Sequence, residues 1–101
     1  MMGIVETDAM REGPLTGVLS RPLLDAGKAR ALLLTLDAGQ AVAPCQMSFL
    51  VLYYFIEGQG QLSIESQQTE FHPGSLAAVP AGAVRCISAD RPTRVLAVQI
   101  P

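Results

Sequence analysis

The 101-residue sequence contains few of the residues from which functional sites are most easily identified. It has two cysteines, one histidine and no tryptophan, and charged residues make up only 16% of the chain. Cys45 and Cys86 are too far apart for a zinc-binding pair, and two cysteines do not make the disulfide framework of a small secreted domain. The cysteine content therefore gives no zinc motif and no disulfide-dense fold.

The sequence also lacks a long hydrophobic run and a cluster of positive charge. Its longest apolar run, residues 49–56, is far too short to cross a bilayer. Residues 1–6 show no basic flank followed by an apolar core, so we expect no signal peptide and a cytoplasmic protein. The seven Lys and Arg residues are scattered and the net charge is −2, so we expect neither a nucleic-acid nor a membrane partner.

Apolar residues, in contrast, are abundant. They make up 50% of the chain, and the mean hydropathy is +0.34. A chain of this length has room for one domain and one core, which cannot hide that much apolar surface. We therefore expect a pocket or a partner to cover the excess.

Glycine and proline divide the chain into short segments rich in Val, Leu, Ile, Phe and Tyr. This pattern predicts an all-β sandwich or barrel, and no segment has the 3.6-residue apolar period of a helix. We expect a tight hairpin at residues 57–60, whose glycines supply positive φ angles, and a second turn at residues 80–82. Residues 1–14 are predicted to form an N-terminal arm and residues 15–101 a single domain. The predicted strands are residues 17–21, 28–36, 41–45, 48–57, 61–65, 69–71, 75–79, 84–88 and 93–100.

Two of these strands are apolar on both faces. Residues 50–56 and residues 31–34 have no polar residues at alternate positions. In an antiparallel sheet this pattern indicates that both faces are covered, one by the barrel interior and one by another surface. We therefore expect a homodimer that buries the outer face of the sheet between two copies of the chain.

The spacing of glycine and proline carries a resemblance to a known family. Gly39 and Gly58 match the first and last glycines of the motif G-x5-H-x-H-x3,4-E-x6-G, and Gly74, Pro80 and Gly82 match G-x5-P-x-G-x2-H-x3-N. These are the two motifs of cupins, which the sequence resembles over roughly residues 28–100. The resemblance implies a double-stranded β-helix, or jelly-roll, barrel.

At the metal-ligand positions of cupins, the sequence departs from the family pattern. The first motif has Cys45 and Met47 in place of its two histidines and Val51 in place of its glutamate. The second motif has Arg85 in place of its histidine and Ala89 in place of its asparagine. Valine has no donor atom, and a permanently charged guanidinium repels a metal ion. We therefore expect no metal and no cofactor, and the metal-dependent dioxygenase and isomerase activities of cupins do not carry over.

The resemblance also implies that the replaced positions point into the barrel, and strand alternation then assigns their neighbours to two faces. Inside the barrel we expect an apolar cup with one cation, one thiol and one phenol, which binds a small molecule. The predicted ligand-binding residues are Arg85, Tyr53, Cys45, Met47, Val51 and Phe55. Ala43 is expected on the same face. The residues expected on the outer face are Leu50, Leu52, Tyr54 and Ile56.

Several of these residues have more than one interpretation. Arg85 either holds the anionic group of a ligand, or extends to the rim of the barrel or pairs with an internal carboxylate. Cys45 is either a small apolar core residue or a reactive thiol, and with Met47 and His72 it offers a soft site for Cu(I). Tyr53 forms the pocket wall or acts as an acid. His72, the only histidine, lies in a surface turn or takes part in acid–base chemistry.

Three hypotheses for the function remain open. The first is a metal-independent binding protein for an apolar small molecule that carries a carboxylate or similar anion. The second is a divergent cupin-type enzyme, metal-free or with soft ligands, in which Cys45 or Tyr53 takes part in the reaction. The third is a structural or sensor protein whose barrel only supports dimerisation. Only the first two predict an accessible cavity, and only the second predicts turnover.

Overall fold

The structure is a computed structural model that describes residues 19–26 and 29–101. Residues 1–14, predicted to form an arm, and the first two residues of the predicted strand 17–21 lie outside the described residues. Within the described residues there are nine strands and no helix, and hence no helix that could span a membrane. The strands are β1 (Leu19–Ala26), β2 (Ala29–Leu36), β3 (Ala41–Gln46), β4 (Leu50–Glu57), β5 (Gly60–Ile64), β6 (Gln67–Phe71), β7 (Leu76–Val79), β8 (Val84–Ala89) and β9 (Thr93–Ile100).

The strands form two antiparallel sheets. One sheet has the strand order β1-β2-β9-β4-β7, and the other has the order β3-β8-β5-β6. Apolar side chains from both sheets meet in one hydrophobic core, because alternate residues of each strand face the same side. This arrangement confirms the predicted all-β, double-stranded β-helix fold.

β1 extends further than the sequence predicted. The predicted strand 17–21 stops before Pro22, whereas β1 continues to Ala26. Its pairing with β2 shifts register between Pro22 and Leu24. Proline has no backbone N–H to donate, so it is tolerated at a sheet edge or at a bulge. Pro22 meets both conditions, because β1 is an edge strand and its register shifts directly after Pro22.

The prediction of a hairpin at residues 57–60 is wrong. β4 pairs with β7 and β9, whereas β5 pairs with β6 and β8, so this turn carries the chain from one sheet to the other. Gly58 has a positive φ of 108°, and Gly60 does not. A Cβ on Gly60 would overlap the carbonyl oxygen of Ser88. Glycine is therefore required at both positions, at Gly58 for its backbone angle and at Gly60 for close packing.

The hairpin in this part of the chain lies one strand later, between β5 and β6. Ile64 pairs with Gln67, which leaves a two-residue turn of Glu65 and Ser66. Glu65 has a φ of 57°, and no other non-glycine residue among those described has a positive φ. Two-residue hairpin loops need positive φ angles, for which Asn and Gly are the usual sequence signal. Glu65-Ser66 carries no such signal, so the sequence did not predict this hairpin.

Side chains of β4 follow the predicted alternation. Val51, Tyr53 and Phe55 are buried in the core, whereas Tyr54 is exposed. On β8, in the opposite sheet, Ile87 also faces the core. The other buried apolar residues of the core are Leu36, Leu62, Phe71, Val79, Ala83, Ala89, Val95 and Ala97.

Both faces of β2 carry buried or half-buried leucines, as its apolar sequence predicted. Leu34 pairs with the core residue Val95 and packs against the core. Leu33 pairs with Leu96 and lies on the opposite face, yet only 2% of it is exposed. The outer face of β4 differs, because it leaves Tyr54 open to solvent.

The outer face of the five-stranded sheet is apolar and partly open beyond β2. Tyr54, Leu76 and Ile100 are 42%, 68% and 38% exposed, and they are the exposed large hydrophobic side chains of the described residues. Tyr54 pairs with Leu76, and Leu50 pairs with Ile100. Because paired residues lie on the same face, all three exposed side chains belong to one surface.

We predict that Gly58→Ala destabilises the protein more than Gly39→Ala does. Both glycines have a positive φ, 108° and 85°, which costs an L-residue about 1–2 kcal/mol. A Cβ at Gly58 would also overlap Thr93 Oγ1 and lie 2.6 Å from Thr93 Cα, whereas a Cβ at Gly39 meets nothing within 4 Å. Denaturant titration should therefore show an additional loss of about 1–3 kcal/mol in Gly58→Ala. Equal losses in the two variants would contradict the packing described for Gly58.

Candidate ligand site

Arg85 is the largest of the fully buried side chains among the described residues, with 1% of it exposed. It lies on β8, where Arg85 and the core residues Ile87 and Ala89 occupy alternate positions. Its register partners are Cys45 on β3 and Ile64 on β5. Removing a guanidinium from water is unfavourable unless it gains hydrogen-bond partners or an opposite charge inside the protein.

The guanidinium has partners for two of its three nitrogens. Nε donates to the carbonyl oxygen of Ala83 at 3.3 Å, and Nη1 donates to Tyr53 Oη at 3.1 Å. Nη2 has no hydrogen-bond partner, and no carboxylate of the described residues pairs with Arg85. Within the described part of the chain, Arg85 therefore neither extends to the rim nor pairs with an internal acid. A buried cation with an unsatisfied donor is an arrangement that an anion would complete.

Tyr53 is held on the inner face of β4, where 5% of it is exposed. Burial raises the pKa of the Tyr53 phenol above its ordinary value of 10.0, and this effect outweighs the hydrogen bond and positive charge of Arg85, which lower the pKa. The phenol is therefore protonated at neutral pH. Its oxygen accepts a hydrogen bond from Arg85, so its own proton remains available for another acceptor. Arg85 and Tyr53 can thus donate two hydrogen bonds to one ligand.

Cys45 lies beside this pair of residues. It is directly opposite Arg85 in the pairing of β3 with β8 and so shares the inner face of the sheet. Its side chain is half-buried and lies near enough to Tyr53 for a negative charge on it to raise the pKa of the phenol. Cys86 lies on the other face, where its Sγ donates to the carbonyl oxygen of Val42 at 3.1 Å. Both cysteines are free thiols, and the two thiols are on opposite faces of the sheet.

The prediction that Ala43 points inward is wrong. Ala43 is exposed, and Val42 packs against the core instead. The pairing of β3 with β8 shifts register between Val42 and Cys45, so Ala43 and Pro44 together lie opposite a single residue. A β-bulge of this kind resets the alternation of side chains along a strand. The bulge could have been predicted from Pro44, because proline is found in sheets at edges and bulges.

The apolar residues predicted for the site all face the interior. Val51 and Phe55 are fully buried, and Met47 is half-buried and packs against the core. Phe55 stacks on Phe71 with 4.0 Å between ring centroids, and its centroid is 6.5 Å from that of Tyr53. Phe55 therefore belongs to an aromatic cluster that extends away from the polar group to Phe71.

A cavity at the edge of the barrel was not indicated by the sequence. Its volume is about 250 Å³, and Arg85 is not among the residues that line it. It lies at β6 and β7, the edge strands of the two sheets. Apolar side chains on its walls include Phe55, Leu62, Phe71 and Leu76, and Glu70 lines it as well. Such a cavity forms between strands of different sheets, which no local sequence pattern encodes.

The side chains at the cupin metal positions do not fit a metal ion. Val51 offers no donor, and Arg85 brings its own positive charge. In the described part of the chain, no three His, Cys, Asp or Glu side chains come together. The soft site with His72 is not assembled, because His72 is exposed and its Nε2 lies 3.3 Å from Glu70 Oε1. It follows β6, three strands from Cys45 on β3, roughly 14 Å at the usual strand spacing.

Comparison with known proteins identifies the fold. No family model matches the sequence, and no curated protein matches it. The protein TT1209 from Thermus thermophilus has a similar structure, with a TM-score of 0.89 and 22% identity over 99% of this chain and 98% of that chain. A cupin superfamily protein from Desulfitobacterium hafniense has a TM-score of 0.83 and 20% identity over 91% of this chain and 84% of that chain.

The protein has the cupin fold, as the resemblance implied. Salicylate 1,2-dioxygenase from Pseudoaminobacter salicylatoxidans also shares it, with a TM-score of 0.80 and 15% identity over 93% of this chain and 28% of the enzyme. At these identities the similarity defines the fold and does not define an activity. The function depends on the side chains inside this barrel.

We predict that ionisation of Tyr53 lowers folding stability at high pH. A raised pKa in the folded state means that this contribution is complete below the ordinary pKa of 10.0 and is lost as the pH rises through the raised value. The free energy of unfolding of the wild type, measured from about pH 8 to about pH 11, should therefore fall more steeply than that of Tyr53→Phe. Tyr54→Phe, on the exposed side of the same strand, is the matched control. A constant difference between wild type and Tyr53→Phe would contradict burial of the phenol.

Proposed function

We propose that the protein binds, without a metal ion, a small molecule that carries an apolar part and a carboxylate or similar anionic group. The guanidinium of Arg85 carries this proposal. It is 1% exposed, has no carboxylate partner among the described residues and leaves Nη2 without a hydrogen bond. A buried charge destabilises the fold unless another group compensates it. An anionic ligand would supply both the missing charge and the missing acceptor.

The donors at this site favour a carboxylate over its neutral amide. Arg85 Nη2 donates, and Tyr53 Oη keeps one proton to donate after it accepts from Nη1. A carboxylate has two oxygens that only accept hydrogen bonds, so each oxygen can take one of these donors. An amide has one carbonyl oxygen and brings an NH₂ group that needs acceptors. It also leaves the charge of Arg85 uncompensated.

The interior strengthens this kind of contact. A charge-assisted hydrogen bond is about twice as strong as a neutral one, and the low effective dielectric constant of a protein interior increases the attraction. Met47, at the position of a cupin metal ligand, is half-buried and offers apolar surface to the rest of the ligand. Each Å² of apolar surface removed from water there would contribute about 25 cal/mol.

Thermal unfolding with matched ligands tests the proposal. Small carboxylic acids and their amides are compared on the wild type, on Arg85→Met and on Tyr53→Phe. A carboxylate at about one hundred times its Kd should stabilise the wild type by about 2.7 kcal/mol, and its amide should not. Arg85→Met should abolish the effect, because it removes the charge. Tyr53→Phe should weaken binding by about tenfold, because it removes one of two donors.

Arg85→Met is a suitable variant because methionine is a flexible, unbranched apolar side chain that fills irregular core space, and it removes a buried charge that has no carboxylate partner among the described residues. Circular dichroism confirms that each variant is folded before ligands are added. If amides stabilise the wild type as much as carboxylates do, the assignment of Arg85 is wrong. If no carboxylate stabilises it, the proposed anion site is wrong.

We also propose that two copies of the chain associate through the outer face of the five-stranded sheet. Tyr54, Leu76 and Ile100 lie on this face and are the exposed large apolar side chains of the described residues. Outward positions 50, 52 and 54 of β4 and 96, 98 and 100 of β9 carry no charged residue. Nothing at these positions repels an identical surface placed against it across a two-fold axis.

Light scattering tests this association. At low micromolar concentration the wild type should have about twice the chain mass of 10.7 kDa. Tyr54→Asp should shift the protein toward monomer, because a carboxylate buried in an apolar interface is strongly unfavourable. Gln68→Asp, on the exposed strand β6 of the other sheet, is the matched control and should leave the mass unchanged. A monomeric wild type would overturn the proposed interface.

A further inference from the structure

We propose that Cys45 is the nucleophile of the Arg85–Tyr53 site, and that the site takes small carboxylic acids that carry an electrophilic carbon. This inference rests on the proposed function, because the same donors hold the carboxylate. It adds a covalent step at a third residue and thereby narrows the class of ligand.

The position of Cys45 carries the inference. Cys45 and Arg85 are directly opposite each other on β3 and β8, where the Cβ atoms of paired residues lie about 4.5–5.5 Å apart on one face. Cys45 also lies near enough to Tyr53 for a negative charge on it to raise the pKa of that phenol, and the Tyr53 hydroxyl accepts a hydrogen bond from Arg85 Nη1. Thiol, phenol and guanidinium therefore occupy one inner surface. On this surface, Arg85 Nη2 is the buried donor that lacks an acceptor.

The burial of these residues indicates how a ligand would be oriented in the site. Arg85 and Tyr53 are buried, whereas Cys45 is only half-buried and keeps part of its surface in contact with solvent. In the proposed complex, a ligand whose carboxylate contacts Nη2 extends outward past Cys45, which lies on the same face of the sheet as Arg85. Holding a reactant next to a nucleophile replaces a bimolecular collision with a step inside one complex.

The covalent step requires no oxidant, reductant or other reactant besides the ligand and water. With a 2-halo acid, Cys45 Sγ attacks the halogen-bearing carbon, a C–S bond forms, and halide leaves with the electron pair of the broken bond. With a 2-enoic acid, Sγ attacks the β-carbon, the π electron pair moves to the α-carbon, and that carbon takes a proton from water. In both cases the thiol proton is released to solvent.

Cys86 is a control within the same molecule. It is half-buried like Cys45, but it lies on the opposite face of β8, where its Sγ donates to the carbonyl oxygen of Val42. Any difference between the two thiols toward an anionic reagent therefore reports on the face that Arg85 occupies.

Two alkylating probes that differ in charge test the inference. Iodoacetate carries a carboxylate, and iodoacetamide is its neutral amide. Each probe is added to the native protein, and modification of Cys45 and Cys86 is followed separately by peptide mass spectrometry. Cys45 should react about tenfold faster with iodoacetate, the effect of one charge-assisted hydrogen bond. Cys86 should react faster with iodoacetamide, because a thiolate repels an anionic reagent.

Variants identify the source of the preference. Arg85→Met should remove the preference of Cys45 for iodoacetate, and Tyr53→Phe should reduce it. Cys86→Ala should leave it unchanged, because Cys86 lies on the other face. A carboxylate that stabilises the wild type in the thermal screen should protect Cys45, and not Cys86, from iodoacetate.

The thermal screen and the alkylation rates together separate the anion site from the role of Cys45 as its nucleophile. If carboxylates stabilise the wild type but Cys45 reacts equally with both probes or prefers iodoacetamide, the anion site stands and Cys45 is not its nucleophile. If no carboxylate stabilises the wild type and Cys45 shows no preference for iodoacetate, both are wrong.

Discussion

The interior of this barrel depends on one constraint, the burial of the Arg85 guanidinium. A buried lysine or histidine can lose its charge by deprotonation, whereas a guanidinium keeps its charge inside a protein. The surrounding residues therefore have to compensate it by hydrogen bonds. The Ala83 carbonyl and the Tyr53 hydroxyl do so for two nitrogens, and the third nitrogen has no partner. The ligand chemistry proposed for this protein follows from that remaining donor.

The same side chain separates this barrel from cupins that hold a metal. A metal ion and a guanidinium both present positive charge to an anion, but they do so differently. A metal ion offers open coordination positions, whereas a guanidinium offers N–H donors in a fixed plane. Arg85 stands where the second cupin motif has a histidine, so the positive charge is built into the chain here. A shared fold therefore does not by itself give this barrel a metal site.

β4 connects the proposed ligand site with the proposed interface. Tyr53 lies inside the barrel and Tyr54, the next residue, lies on the outer face of the sheet. Because side chains alternate along a strand, a shift of one residue would exchange the two phenols. The register of β4 is fixed by pairing with β7 on one side and β9 on the other. Close packing of Gly58 against Thr93 holds the end of β4 near the start of β9.

The sequence by itself determined the features that depend on neighbouring residues. The motif glycines at positions 39, 58, 74 and 82 all have positive φ angles, because turn geometry is a local property. The resemblance to cupins implied that Val51 points inward, and strand alternation, which is also local, then placed Tyr53 inside. Tertiary structure decided which strands pair, so the turn at 57–60 joins two sheets and the bulge in β3 turns Ala43 outward. It also decided the partners of Arg85, because its contact with Tyr53 joins strands of opposite sheets. Such contacts depend on how the two sheets pack against each other, and no short stretch of sequence contains that information.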